Sequence, residues 1–276
     1  MLDIGKKVVF RSEAEIALIA AKEASKKIME IYKTNFASYY KGSRDSVTQA
    51  DLESNKVIHK ILSTTHTILS EETTDTDKRL FKDIIWIVDP LDGTSDFIHR
   101  TGDFSILIGL VKNGESVFGL IYYPLTKEYY IAEKGQGSYH IKNKICEQIR
   151  VTSTNYVENA NVIMSRSHLS SKEKYFLDFI NKNTYSQKGS IGLKVADIAS
   201  GSADIYFSLT NKIKQWDSCA ANCIISEAGG KMTDMKGEKL VYNIKNLQHD
   251  NGILVTNGNI HNNLVKAYER FQAKNI

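Results

Sequence analysis

Proline is nearly absent: Pro90 and Pro124 are the two in 276 residues. A Pro-rich linker or recognition segment is therefore excluded, and domain boundaries must be read from pattern. Cysteine is scarce too, with Cys146, Cys219 and Cys223 making an odd number and no Cys-x-x-Cys pair. That excludes a disulfide framework and fits a reducing cytoplasm. The net charge is only +4, and just seven of the 36 Lys+Arg are Arg. Neither a reader of nucleic-acid backbones nor a polybasic membrane binder is indicated. Apolar runs stop at about half a dozen residues, well short of the ~18 that a spanning helix needs. The opening, MLDIGKKVVFRSEAE, carries charge where a secretory signal needs an apolar stretch, so the expected location is cytoplasmic.

What is present is an ordinary globular composition, 42% hydrophobic and 25% charged, ample for a sizeable core. Ser12-Glu-Ala-Glu15 has the form of a capping box, and apolar residues recur at helical spacing behind it, predicting a helix over 12–33. Thr48-Gln-Ala-Asp51 predicts a second start, with Asp51 in the first turn and Leu52, Val57, Ile58, Ile61 and Leu62 turned to the core. Ile84-Ile-Trp-Ile-Val88 reads as a buried strand. Phe104–Val111 and Ser116–Tyr122 flank Asn113-Gly114, a hairpin signal, and Tyr129–Ala132 adds a further strand. Beyond about residue 150 strands alternate with helices: strands at Val162–Ser165, Asp204–Ser208 and Ile253–Thr256, helices from about 171, from about 217 and after 256. Residues 1–150 thus read as an α+β half and 151–276 as an α/β half, packed as layers without a linker.

The most informative stretch is Asp89-Pro-Leu-Asp92-Gly-Thr-Ser-Asp96, directly after the buried strand. Strand ends are where layered α/β folds build sites. Two carboxylates three residues apart, with a backbone carbonyl between them, can converge on a hard cation such as Mg²⁺. Without any chemistry, the same residues make an Asx turn and a helix cap. Glu71-Glu72 follows another apolar pair, and adjacent like charges repel unless a metal offsets them; a solvated loop is the plain alternative. Asp217 precedes a helix closed by Gly229-Gly230, where an N-cap would suffice, and Asp51 suits a first-turn acid. Spacing alone does not assemble these four regions.

Three blocks carry a resemblance over nearly the whole chain: Leu69-Ser-Glu-Glu72; Trp86-Ile-Val-Asp-Pro-Leu-Asp-Gly-Thr94; and Trp216-Asp-Ser-Cys-Ala-Ala221 with Glu227-Ala-Gly-Gly230. They resemble the signature of the lithium-sensitive, Mg²⁺-dependent inositol monophosphatase superfamily. Val162-Ile-Met-Ser-Arg-Ser-His168 and Gly189-Ser-Ile-Gly-Leu-Lys194 look like its bacterial 3′(2′),5′-bisphosphate nucleotidase branch. The chain departs from that branch at Ser46, where a proline is usual.

The resemblance implies an αβαβα sandwich of the inositol monophosphatase and fructose-1,6-bisphosphatase type. It implies hydrolysis of adenosine 3′,5′-bisphosphate, a by-product of sulfate activation, to AMP and phosphate. Glu71, Asp89 and the Leu91 carbonyl would hold one Mg²⁺, and Asp89, Asp92 and Asp217 a second. Asp51 with Glu71 would help to hold a third. Thr94, hydrogen-bonded to Asp51, would activate water, and the Gly93 and Thr94 amides would grip the phosphate. His168, Ser190, Lys194 and Asp217 would face the substrate. An inositol or sugar phosphate is the rival substrate, and a non-catalytic binding member is a further alternative. The expected partner is thus a small phosphate monoester, with no nucleic acid and no membrane attachment indicated, in a monomer or homodimer.

Overall fold

The computed structural model describes residues 10–34, 38–41 and 45–274. Residues 1–9, read above for an export signal, and residues 42–44 lie outside these, as does the side chain of Ser46. Helix α1 (Ser12–Tyr32) and helix α2 (Gln49–Leu62) flank a hairpin, β1 (Ser38–Lys41) and β2 (Asp45–Thr48). A seven-stranded sheet follows in chain order: β3 (Thr67–Ser70), β4 (Ile84–Asp92), β5 (Ser105–Lys112), β6 (Glu115–Tyr123), β7 (Glu128–Glu133), β8 (Gly137–Lys142) and β9 (Ile145–Ile149). Within this sheet β3 and β4 pair in parallel and the other neighbours antiparallel, and a short helix, α3 (Thr94–Ile98), leaves the end of β4. The rest of the chain is β10 (Ile163–Ser165), α4 (Ser171–Phe179), β11 (Ser186–Lys188), α5 (Ile191–Ala199), β12 (Ile205–Ser208), α6 (Gln215–Glu227), β13 (Lys231–Thr233), β14 (Ile253–Thr256) and α7 (His261–Lys274). No helix among the described residues is long and apolar enough to cross a membrane.

Burial sorts these elements into five layers. Trp86, Val88, Ile106 and Leu120 of the large sheet pack with Ala17, Ala21 and Ile28 of α1 and Ile58 of α2. Their neighbours on the opposite face, Ile85, Ile87, Leu107 and Ile121, pack with Val195 of α5 and Ile224 of α6. Beyond those helices lies the small sheet β12-β14-β13, whose Tyr206 and Val255 join the same core. Phe207 and Leu254 point the other way, onto Phe176 of α4 and Leu264 of α7. The order helix, sheet, helix, sheet, helix is the sandwich expected above. It follows from the period-two alternation that gives each strand two apolar faces.

One expectation fails in detail. Ser12 is the first residue inside α1, and Arg11 occupies the N-cap with no capping side chain. A contact from far along the chain supplies the start instead: Glu133 accepts from the Arg11 amide at 2.9 Å and from its Nε at 2.7 Å. The Thr48 box does form: Thr48 Oγ1 accepts from the Ala50 amide at 3.0 Å and Asp51 Oδ2 from the Thr48 amide at 2.7 Å. Strands β8 and β9 extend the sheet beyond the sequence expectation.

Helix α6 comes unusually close to the sheet. Gly109 and Gly119 lie opposite each other in the β5–β6 register, and α6 crosses over the pair. A Cβ at Gly119 would fall 2.1 Å from the Ala220 carbonyl oxygen, and one at Gly109 2.5 Å from Cys219 Sγ. Gly119→Ala should therefore cost about 2–3 kcal/mol through overpacking against backbone that cannot step aside. A urea midpoint unchanged from wild type would sink this account of the layer spacing.

Two buried histidines make stability sensitive to acid. His261 bonds Thr233 Oγ1 at 2.8 Å and Thr256 Oγ1 at 2.9 Å, and His249 bonds Ser218 Oγ at 2.7 Å. Burial pushes both imidazoles down to about 4. The unfolded chain takes up those protons near pH 6.5 and the folded one only near 4, so stability is lost as pH falls through that window. The loss approaches about 3 kcal/mol per histidine at the acid end. His261→Gln should flatten the slope of melting temperature against pH between 6.5 and 4.

Candidate active site

The site is built where β3 and β4 end. Their parallel register pairs Ser70 with Val88, and the Glu71 amide donates to the Val88 carbonyl at 3.3 Å, so Glu71 emerges beside Asp89. In a regular strand, Asp89 and Asp92 would point to opposite faces. Between the pairs Asp89–Leu107 and Asp92–Ser105 the register slips by one residue, and this bulge turns both carboxylates toward α5 and α6. Gly93 then takes φ +93° and lies so close to Asp103 that a Cβ would meet its carbonyl at 2.6 Å. Only glycine can make that corner, from which α3 starts.

Three helices bring the remaining parts. Helix α2 is tied to the bulge by Ser54 Oγ, which donates to the Pro90 carbonyl at 2.8 Å. Its Asp51, 3% exposed, accepts from Thr48 Oγ1 at 2.6 Å and through Oδ1 from Thr94 Oγ1 at 2.9 Å. Helix α6 carries Asp217 in its first turn, where the carboxylate accepts from the Lys214 amide at 2.6 Å. Helix α5 meets Asp92 directly. The Ile191 and Gly192 amides donate to it at 3.1 and 2.8 Å, and the hydroxyls of Ser190 and Ser105 complete its shell.

The acids feel one another strongly. Burial first, then the charges of Asp217 and Glu72, push the Glu71 carboxyl up to about 8, while Lys214 pulls the other way. Asp89 is raised well above the usual carboxylate range by burial, then by Glu71, Asp92 and Asp217. Asp51 is pushed up to about 6 by burial, against its bonds from Thr48 and Thr94. The structure thus brings Asp51, Glu71, Asp89, Asp92 and Asp217 into one electrostatic cluster, and the Leu91 carbonyl lies on its edge, 3.1 Å from Thr94 Oγ1.

Every donor on offer is oxygen, which suits a hard cation such as Mg²⁺, and a divalent charge would offset the repulsion that raises these carboxyls. Among the described residues, however, no three His, Cys, Asp or Glu side chains close on a single point. Asp92 is turned onto α5 and Asp217 onto its own helix start. Mg²⁺ usually keeps waters and takes further ligands from a phosphate, so an open set fits it better than it would fit Zn²⁺.

Two of the residues expected to face substrate lie beneath the site instead. Ser190 is fully buried: it caps α5 by accepting from the Leu193 amide at 3.0 Å while its hydroxyl serves Asp92. Lys194 is likewise fully buried, not on a solvated helix face. Its three ammonium hydrogens go to the carbonyls of Lys188 (3.3 Å), Gly189 and Ser190 (2.9 Å), and the ammonium lies 5.0 Å from the Tyr206 ring. Burial lowers its pKa to about 8, opposed by Asp92, Asp96 and Asp103. With every donor engaged, it has none for a ligand. Asp92, expected to hold a metal, is only 6% exposed.

His168 is exposed on the loop after β10, its amide donating to Ser165 Oγ at 3.2 Å. Arg166 fastens that loop over α3 by ion pairs to Asp96 and, at 2.6 Å, to Asp103. Sequence reasoning missed Ser105 and the α5 amides as the support for Asp92. Its one available signal was Ser190 three residues before Leu193, the spacing of a helix cap. Trp216, Cys219 and Cys223 are buried core residues.

A profile of the inositol monophosphatase family matches residues 11–273. The inositol-1-monophosphatase of Bacillus subtilis (strain 168) is 29% identical over 260 residues, covering 92% of this chain and 95% of its own. The 3′(2′),5′-bisphosphate nucleotidase CysQ of Salmonella typhimurium is 32% identical over 230 residues, covering 80% of this chain and 90% of its own. The crystal structure of CysQ from Bacteroides thetaiotaomicron superposes with a TM-score of 0.77 at 30% identity, over 90% of this chain and 97% of that one.

Lys194→Met keeps most of the side-chain volume and removes all three donors. It should lower the unfolding free energy by about 3 kcal/mol, the cost of leaving buried carbonyls unpaired. Wild-type stability in that variant would show that the carbonyls find other partners.

Proposed function

The chain belongs to the inositol monophosphatase family, whose members are metal-dependent phosphatases, and from that premise we propose that it hydrolyses adenosine 3′,5′-bisphosphate to AMP and phosphate. The observation that carries phosphate chemistry is the buried ring of acids around the β4 bulge, with Thr94 hydrogen-bonded to Asp51 on its edge. So many carboxylates in a half-dry corner are costly unless cation and phosphate charge are meant to meet there. The nucleotide is supported by the likeness to CysQ and by the exposed His168 ring on a loop that Arg166 pins beside the site.

Mg²⁺ held by Glu71, Asp89, Asp92, Asp217 and the Leu91 carbonyl, with Asp51 and Glu71 reaching a third ion, would neutralise phosphate charge and acidify water, worth several kcal/mol. The chain's own part is proton handling and aim. Thr94 has one hydroxyl hydrogen; when it goes to Asp51, a lone pair of Oγ1 is left to accept a proton from water. Asp51, its carboxyl pushed up to about 6 by burial, is poised to take the proton that passes through Thr94. The amides of Gly93 and Thr94 supply donors at the corner for phosphate oxygens. Ser105, Ser190 and the α5 amides fix the direction of Asp92.

An inositol phosphate is the second reading, favoured by the Bacillus relative, which matches more of this chain than the nucleotidase does. Phosphate release in Mg²⁺ from adenosine 3′,5′-bisphosphate, inositol 1-phosphate and fructose 1,6-bisphosphate at matched concentrations separates the readings. The nucleotide should be turned over with the highest kcat/KM. A preference for inositol 1-phosphate would move the assignment to the second reading, and no release from any substrate would overturn both. Thr94→Val should lower kcat by about 100-fold or more with little change in KM, because it removes the proton route and leaves the binding groups.

A further inference from the structure

On the far side of the large sheet from the acids, a groove of about 750 Å³ runs between α1 and the turns that follow β6 and β8. Its floor is apolar: Tyr122, Tyr129 and Ile141 are all more than nine-tenths buried, and the two tyrosine rings lie within 12° of parallel at 6.1 Å. Its rim is basic, formed by Lys22, Lys26 and Lys33 of the α1 segment and by Lys127 and Lys144 of the two turns. The facing acid, Glu30, is already paired with Lys27 at 2.8 Å, and Lys26 with Glu23 at 2.6 Å. Counting those helix partners, six lysines stand against two glutamates here. That excess of four positive charges equals the net charge of the whole chain, so the rest of the sequence is neutral and the groove holds the imbalance. Among the described residues, Lys22, Lys33, Lys127 and Lys144 make no ion pair, and the Lys22 ammonium lies over the Tyr129 ring at 5.8 Å.

The turns add an independent sign. Lys127 and Lys144 have φ of +61° and +65°, in the left-handed region where glycine or asparagine is the cheaper choice. Asn143-Lys144 has both residues there, the geometry in which Asn-Gly is the common pair. At two separate turns, then, a lysine stands in a strained position, and both project onto the same groove. Backbone strain retained at a site is a reason to look for a use.

From this we infer that the groove between α1 and the β6–β9 edge is a second binding site, for a small phosphomonoester with a planar body, of mononucleotide size. The lysines supply charge for a dianionic phosphate, the buried tyrosine pair an apolar aromatic floor, and the volume lies within the range of small-molecule sites. The site is distinct from the acid cluster. Tyr122 pairs with Ile106, next to the Ser105 that opposes Asp92, so both sites lie at one end of the sheet; Tyr122 faces the α1 side and Asp92 the α5 side. The groove is also linked to the site's other edge. Tyr32, at the end of α1, packs at 5.1 and 5.0 Å on Phe97 and Phe104, which flank the Gly93–Thr94 corner through α3.

The test is calorimetric titration of the whole protein with adenosine 5′-monophosphate in EDTA, where the acid cluster repels phosphate. Wild type should bind one equivalent, and glycerol 3-phosphate, which has the phosphate but no ring, at least tenfold more weakly. Lys22→Glu with Lys144→Glu, both on exposed positions, should weaken binding at least tenfold while leaving Mg²⁺-dependent phosphate release unchanged. That readout separates a failure here from a failure of the proposed activity. Lys144→Gly relieves the turn and removes one charge, so it should raise the melting temperature while weakening binding. A wild type that binds nothing, or a double charge reversal that binds as wild type does, overturns the inference. Cosedimentation with phosphatidylserine vesicles in place of nucleotide binding would do so too, by making the patch a lipid surface.

Discussion

The structure depends on how closely α6 lies on the sheet. Two glycines paired across β5 and β6 let the Cys219–Ala220 turn of that helix rest on strand backbone. Helix axes normally stand off a sheet by the depth of side chains. Here that depth is removed at one point, and the helix start drops to the level of the β4 end. Asp217, in the first turn of α6, thereby comes within electrostatic reach of Asp89 and Glu71. The acid cluster is thus a consequence of packing: larger residues at the two glycines would lift Asp217 away from the carboxylates it must meet.

Holding five acids in one half-dry corner needs compensation, and the fold supplies it from helix ends. Helices α2, α5 and α6 all start at the β4 bulge, so their unpaired amides and positive dipole ends face the acids. Asp51 uses the start of α2 and Asp217 that of α6, while Asp92 reaches across to α5. The start of α5 is in turn shaped by Lys194, whose ammonium gathers three successive carbonyls just before the helix. The positive charge beneath Asp92 is therefore internal and spent on backbone, while the half-exposed Lys214 faces Glu71 from the side.

This division explains what the sequence could and could not disclose. Asp89-Pro-Leu-Asp92-Gly-Thr94 is a contiguous string, and its chemistry was legible because a bulge and a glycine corner act within a few residues. The Thr48 box was legible for the same reason. Ser12 misled because the start of α1 is settled by Glu133, more than a hundred residues away, and no local pattern reports such a partner. Ser190 and Lys194 were recognised as meaningful but placed on the wrong side of the backbone. A serine and a lysine suit a ligand as well as they suit a buried carboxylate or carbonyl, and only burial tells the two apart. Strands β8 and β9 escaped because an edge of mixed polarity, such as Ile145–Ile149, lacks clean alternation.

The missing linker takes on a physical meaning in this light. The core on the α5 and α6 side runs from Leu69 of β3 to Val255 of β14, so the two halves of the chain share one interior. A hinge between them would have to open that core, and the loss of apolar burial would far exceed what a small ligand could return. Asp89 and Asp92 from the first half and Asp217 from the second are therefore held at fixed separation. Movement is left to the elements outside the shared core. Of these, the loop carrying His168 is held by ion pairs from Arg166, whose side chain is 37% exposed, and by the Arg166 amide, which donates to the Lys188 carbonyl at 3.2 Å. The acids are thus fixed by the shared core, and the rim that carries His168 is set by contacts outside it.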